Sequence, residues 1–125
     1  MEALKNILIA EDEKPMARAL ELKLKNNGFN AEVVGNGEEA VEKILTGKYD
    51  LVLLDLVMPK KDGFTVLKEV AEKGSKTPII VTSNLSQEED EKKARSLGAV
   101  GYIIKSNTPI VTIVDKVKEF LGISS

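Results

Sequence analysis

Short apolar runs recur along the chain, and each is closed by a polar group. Ile7, Leu8, Ile9 and Ala10 run into Glu11, Asp12 and Glu13; Leu51 to Leu54 run into Asp55; Ile79 to Val81 run into Thr82 and Ser83; Tyr102 to Ile104 run into Lys105. Continuous runs of this length mark strands buried on both faces of a parallel sheet. They predict strands over about residues 5–10, 31–34, 50–54, 78–82 and 100–104, with helical periodicity between and after them. Gly28, Gly47, Gly74, Gly98 and Gly122 stand where five helices should stop, since glycine accepts the left-handed conformation that closes a last turn. Pro15 and Pro109 suit first-turn positions, Asn36 and Asp62 can cap, and Ser86 with Glu89 has the spacing of a capping box. Regular alternation of five strands and five helices gives an α/β fold, with helices covering both faces of the sheet.

Two helices depart from the common pattern. The fourth, from Gln87 to Leu97, has only Ala94 and Leu97 as apolar residues, so it should be weakly anchored. Its acids lead and its bases trail, with Glu88–Lys92, Glu89–Lys93 and Glu91–Arg95 at i,i+4 spacing. The last carries Ile110, Val111, Ile113, Val114, Val117, Phe120 and Leu121, more than one core-facing stripe requires. A wide buried stripe is the plainer expectation, and a homodimer or target surface the other. The Lys60, Lys61 pair reads as a solvated loop.

Composition narrows the chemistry. The 125 residues suit one domain, with no linker, repeat or low-complexity tract, so a single domain over 1–125 without an output domain is expected. There is no cysteine and no histidine, which removes thiolate and imidazole chemistry and leaves oxygen ligands and lysine. Net charge is −2, with the 18 basic residues mixed among 20 acidic ones, so direct nucleic-acid binding is not expected. No stretch is long and apolar enough for a membrane span, and Met1 to Asn6 leads into a strand rather than a signal sequence. A cytoplasmic protein without membrane insertion is expected.

Open parallel sheets bind ligands beyond the carboxyl ends of their strands. If the strands lie side by side, two or three carboxylates from Glu11, Asp12 and Glu13, a hydroxyl from Thr82 or Ser83 and the Lys105 ammonium converge there around Asp55, a set able to hold a divalent cation and a phosphoryl group. Magnesium takes oxygen ligands and keeps waters, which one or two carboxylates and a carbonyl provide. With the charge screened, the Asp55 carboxylate could attack phosphorus in line with the leaving group. An ammonium facing the new charge at ~4 Å contributes roughly 4 kcal/mol at an effective dielectric of 20, before desolvation.

The segments ILIAEDE, LVLLDLVMPKKDG, PIIVTS and GAVGYIIK together resemble the receiver domains of two-component response regulators, over essentially the whole chain. That resemblance implies a flavodoxin-like, doubly wound five-stranded parallel sheet of order 2-1-3-4-5 with five helices. It also implies a phospho-accepting signalling switch that catalyses its own phosphorylation and dephosphorylation with Mg2+. Asp55 would be the phosphoacceptor, Asp12 a direct metal ligand, Glu11 a ligand through water, and Val57 the donor of a backbone carbonyl. Ser83 would bond the phosphoryl group, Lys105 would pair with it, and Ser83 and Tyr102 would switch a surface of helix 4, strand 5 and helix 5. Glu13 matches no role and is read as the start of a loop. Implied partners are a histidine kinase or phosphotransfer protein and a downstream protein of unknown identity.

Family members usually carry proline after the lysine, joined by a cis bond, and a small residue after the serine. Ser106 and Asn84 stand at those positions here. A trans Lys105–Ser106 bond is expected, because a non-prolyl cis bond costs about 2.5 to 4 kcal/mol. Asn84 should crowd the entrance, while Val57 and Leu85 should flank and dry the water path to Asp55, slowing hydrolysis. The competing readings are a receiver-like scaffold independent of phosphorylation, an aspartate-nucleophile phosphatase and a flavin protein. The intact set of polar residues disfavours the first. Val57 stands where the phosphatase needs a second acid, and the acids closing the first strand repel a flavin phosphate.

Overall fold

A computed structural model describes residues 4–123, so Met1, Glu2 and Ala3 of the expected leaderless start lie outside it. The elements alternate as β1 (Asn6–Ala10), α1 (Lys14–Asn26), β2 (Asn30–Val34), α2 (Gly37–Ile44), β3 (Leu51–Leu54), α3 (Gly63–Glu72), β4 (Ile79–Ser83), α4 (Glu88–Ser96), β5 (Gly101–Ile104) and α5 (Ile110–Phe120). A 3-10 turn, Lys105–Asn107, joins β5 to α5. All four strand pairs are parallel and the order is β2-β1-β3-β4-β5, the flavodoxin-like arrangement. Strand ends fall within one residue of the positions read from the apolar runs.

Side chains alternate across the sheet and divide the core. Leu8, Ala10, Val52, Leu54 and Val81 face Ala40, Ile44, Val66, Leu67 and Val70 of α2 and α3, with Ala94 of α4. Ile7, Ile9, Leu51, Leu53, Ile80 and Ile103 face Leu20 and Leu24 of α1 and Ile113, Val114 and Val117 of α5. Each large side chain buried this way contributes about 1.5–3 kcal/mol, which fixes the strands and therefore the positions of the groups at their ends.

Helix boundaries follow the local chemistry with two exceptions. Asn36 accepts from the Glu39 amide and Asp62 from the Thr65 amide, both at 2.9 Å, so both cap as expected. The five helix-stop glycines all have positive φ. Ser86 does not cap, however: α4 begins at Glu88 with Gln87 before it and no side-chain cap. Its hydroxyl stands one residue too early, and Glu88, Glu89, Asp90 and Glu91 offset the positive helix end instead. Pro109 occupies the cap position itself, just ahead of the first turn of α5.

Of the three expected pairs on α4, Glu91–Arg95 forms at 2.9 Å and Glu88–Lys92 at 3.7 Å. Lys93 lies instead over the Phe64 ring of α3, 4.3 Å from its centroid, a contact of about 0.5–1 kcal/mol that tethers an otherwise polar helix. On α5 the buried stripe holds for Ile113, Val114 and Val117 and fails for Val111 and Phe120, which are exposed. Lys60 is exposed on its loop as expected, whereas Lys61 is half-buried and bonds both carboxylate oxygens of Glu69 at 2.8 and 2.7 Å.

Candidate phosphoacceptor and metal site

The register decides which polar groups meet. Ala10 is paired with Leu54, so Glu11 and Asp55 leave adjacent strands at the same level. Ser83 is paired with Ile104, so Lys105 leaves one step beyond Ser83. Glu11, Asp55, Ser83 and Lys105 are all buried, whereas Asp12 is exposed at the rim.

Lys105 organises the acids. Its Nζ donates to Glu11 Oε1 at 2.7 Å, Asp55 Oδ2 at 3.1 Å and Glu13 Oε1 at 3.2 Å, using all three ammonium protons. Asp55 Oδ1 accepts from the Val57 amide at 3.2 Å, and Glu11 Oε2 accepts from the Glu13 amide at 3.2 Å. Burial drives the Glu11 carboxyl up to about 7, against the opposing pull of its Lys105 bond. Burial also lowers the proton affinity of Lys105, but its bonds to Glu11 and Asp55 outweigh that and hold it above the ordinary lysine range.

Carboxylate oxygens of Glu11, Asp12 and Asp55 all lie within 4.8 Å of one another. Such an oxygen-only set suits a hard divalent cation. Lys105 leaves Glu11 Oε2 and Asp55 Oδ1 with only one amide donor each, and exposed Asp12 completes the set. An open depression of about 730 Å3 beside Glu11 and Asp12 connects them to solvent. Val57 lies on the same loop with its side chain exposed, and its amide is the group bonded to Asp55.

The loop after β4 forms the opposite wall. Ser83 Oγ accepts from the Leu85 amide at 3.2 Å, and Tyr102 Oη donates to the Leu85 carbonyl at 2.7 Å. The Tyr102 ring packs on the α3 side of the core, and burial raises its hydroxyl above the usual tyrosine range. Asn84 Oδ1 accepts from the Ser106 amide at 2.9 Å. No described peptide bond is cis, so Lys105–Ser106 is trans as expected. Leu85 packs partly against the same core cluster, while the Val57 side chain is exposed.

Two contributors were missed in the sequence. Glu13 is drawn into the site because a buried ammonium needs three acceptors and two strand-end acids supply only two; the third acid of the EDE run was the available signal. Gly63 packs beneath the Asp55 loop: a Cβ there would stand 2.6 Å from the Asp55 carbonyl and 2.7 Å from Leu56 Cα. The aspartate-glycine pair that starts α3 carried that signal.

Comparison with known proteins agrees with this geometry. The profile described as "Response regulator receiver domain" matches residues 7–118. The transcriptional regulatory protein DltR of Streptococcus agalactiae is 44% identical over 99 residues, covering 79% of this chain and 44% of that protein. The response regulator ArlR of Staphylococcus haemolyticus is 37% identical over 100 residues, covering 80% and 45%. This chain therefore spans less than half the length of the curated relatives it matches. Among solved structures, the receiver domain of Francisella response regulator 1452 superposes with a TM-score of 0.88 at 29% identity, covering 94% of this chain and 97% of that one. CheY in the Borrelia burgdorferi complex with CheX, BeF3 and Mg gives 0.86 at 30% identity, covering 94% and 89%. With the profile spanning nearly all of the sheet and its helices, the chain belongs to the response regulator receiver domain family.

Proposed function

We propose that this domain is a phospho-accepting switch in which Asp55 takes a phosphoryl group from the phosphohistidine of a histidine kinase or phosphotransfer protein. The observation that carries the reading is the buried Lys105 ammonium 3.1 Å from the Asp55 carboxylate, beside two further acids. An Asp55 oxygen attacks phosphorus, the P–N bond breaks with its electrons going to the imidazole, and an acyl phosphate forms. Mg2+ held by Asp12, Asp55, the Val57 carbonyl and, through water, Glu11 would screen charge between the acids and the incoming group. Lys105 then exchanges part of its contact with Glu11 for the new dianion, and the Ser83 hydroxyl donates to another phosphoryl oxygen. Because Ser83 and Tyr102 both bond Leu85, a shift of Ser83 is passed to the loop entering α4 and to β5.

The output passes to a protein partner through the α4, β5 and α5 surface, with residues 1–125 acting as one receiver unit in the cytoplasm. Among the described residues no helix is long and apolar enough to cross a membrane. A transcriptional output, as the name of the streptococcal relative states for that protein, is the pathway-level extension of this reading.

Incubation with a small phosphodonor and Mg2+ should add one labile phosphoryl mass to the intact protein. Asp55→Ala should abolish the addition and Asp12→Ala should weaken it strongly. Full labelling of the Asp55 variant would overturn the assignment. Absence of labelling in the parent, with partner binding intact, would instead establish the phosphorylation-independent scaffold.

A further inference from the structure

The two positions where this chain departs from the family pattern around its site are bonded to each other. Asn84 follows Ser83, Ser106 follows Lys105, and the Ser106 amide donates to Asn84 Oδ1 at 2.9 Å across a separation of 22 residues. The bond lies one step beyond the last β4–β5 pair, Ser83 with Ile104, so a side chain extends the strand ladder past its backbone end. Proline at 106 would have no N–H to give, and a small aliphatic residue at 84 would have nothing to accept it. Either departure alone would leave its group to water, whereas together they satisfy each other.

We propose that Asn84 is a positioning residue: through the Ser106 amide it latches the loop carrying Ser83 to the turn carrying Lys105. This sets the separation between hydroxyl and ammonium before a phosphoryl group arrives. The inference rests on the phosphoacceptor reading above. It differs from simple crowding of the entrance, because the effect runs through a bond to the lysine turn rather than through bulk.

The test is calorimetric titration with beryllofluoride at saturating Mg2+, for the parent, Asn84→Ala, Ser106→Pro, the double variant and Ser106→Ala. Loss of one hydrogen bond should weaken binding about three- to tenfold in each of the first two variants. The double variant should be no weaker than its weaker parent, and Ser106→Ala, which keeps the amide, should match the parent protein. Affinity for Mg2+ alone should stay constant, since the latch bond joins Asn84 and Ser106 and includes none of the carboxylates of Glu11, Asp12 and Asp55. Multiplying losses, parental affinity in Asn84→Ala, or equal loss in Ser106→Ala would each overturn the latch. If Ser106→Pro fails to fold, Asn84→Ala decides alone, read also by faster hydrogen exchange of the Ser106 amide. A parent protein that does not bind beryllofluoride would overturn the phosphoacceptor reading and the latch with it; binding indifferent to every variant would overturn only the latch.

Discussion

Lys105 is the residue on which the site's charge balance turns. Replacing it with alanine leaves Glu11 and Asp55 buried without their shared cation, and removing one partner of such a group destabilises by about 3–5 kcal/mol. Exposed Glu13 adds little to that figure. At one fixed Mg2+ concentration above the dissociation constant, acids freed of the ammonium should bind the cation more tightly than in the parent, and each tenfold fall in that constant adds about 1.4 kcal/mol of stability. Urea denaturation of Lys105→Ala in chelator and in Mg2+ should therefore show a larger metal-induced gain than the parent; equal gains would mean that the lysine does not neutralise these acids. At the other end of β3, burial and a 2.8 Å bond to Glu32 push the Tyr49 hydroxyl up to about 12. A folded value above the unfolded one of about 10 means that the neutral phenol's stabilisation is complete below pH ~10 and is lost as pH rises toward 12. Tyrosinate absorbance should thus rise at higher pH in the native protein than in urea. Single residues were legible in the sequence where a strand end exposed them, as with Asp55 and Lys105. Glu13 was not, because its role depends on the ammonium's third proton and on a contact spanning 92 residues.

Among the elements, strands and helix stops could be read because apolar runs and glycines act locally. The onset of α4 could not, since a capping hydroxyl works only if the helix begins at the next residue, and this one begins later. Gly63 shows another limit of local reading: its necessity comes from the β3 loop passing overhead. Gly63→Ala should destabilise by about 1–3 kcal/mol through overpacking and should slow phosphoryl labelling by shifting Asp55. Denaturation and labelling rates measured together test this; lost stability with unaltered labelling would mean that the loop relaxes without moving the carboxylate. The two loop residues proposed to govern water access should now diverge. Val57→Asn, exposed beside Asp55, should speed decay of the phosphoprotein, while Leu85→Glu should cost stability first because it places a charge on the core cluster. First-order decay rates and thermal midpoints of the two variants separate these effects.

For the whole molecule, the sheet divides a well-packed body from a lightly held edge. Most of the buried apolar side chains lie on β1, β3, β4 and the helices α1, α2, α3 and α5, whereas α4 contributes Ala94 alone. Phosphorylation should therefore change amide exchange mainly in α4 and the loop before it, leaving α1 nearly unchanged. In Lys105→Ala that difference should shrink, and its persistence at parental size would remove the lysine from the coupling. The sparse anchoring of α4 also bears on descent. Because the surface proposed for partner contact and the residues that make the chain fold are almost separate sets, mutations can rewrite one while selection holds the other. Exchanging the exposed residues of α4 for those of a paralogue, with Lys93 and Ala94 kept, should redirect binding at little cost in melting temperature. A lineage carrying this arrangement can acquire new signalling partners after gene duplication without first acquiring a more stable fold.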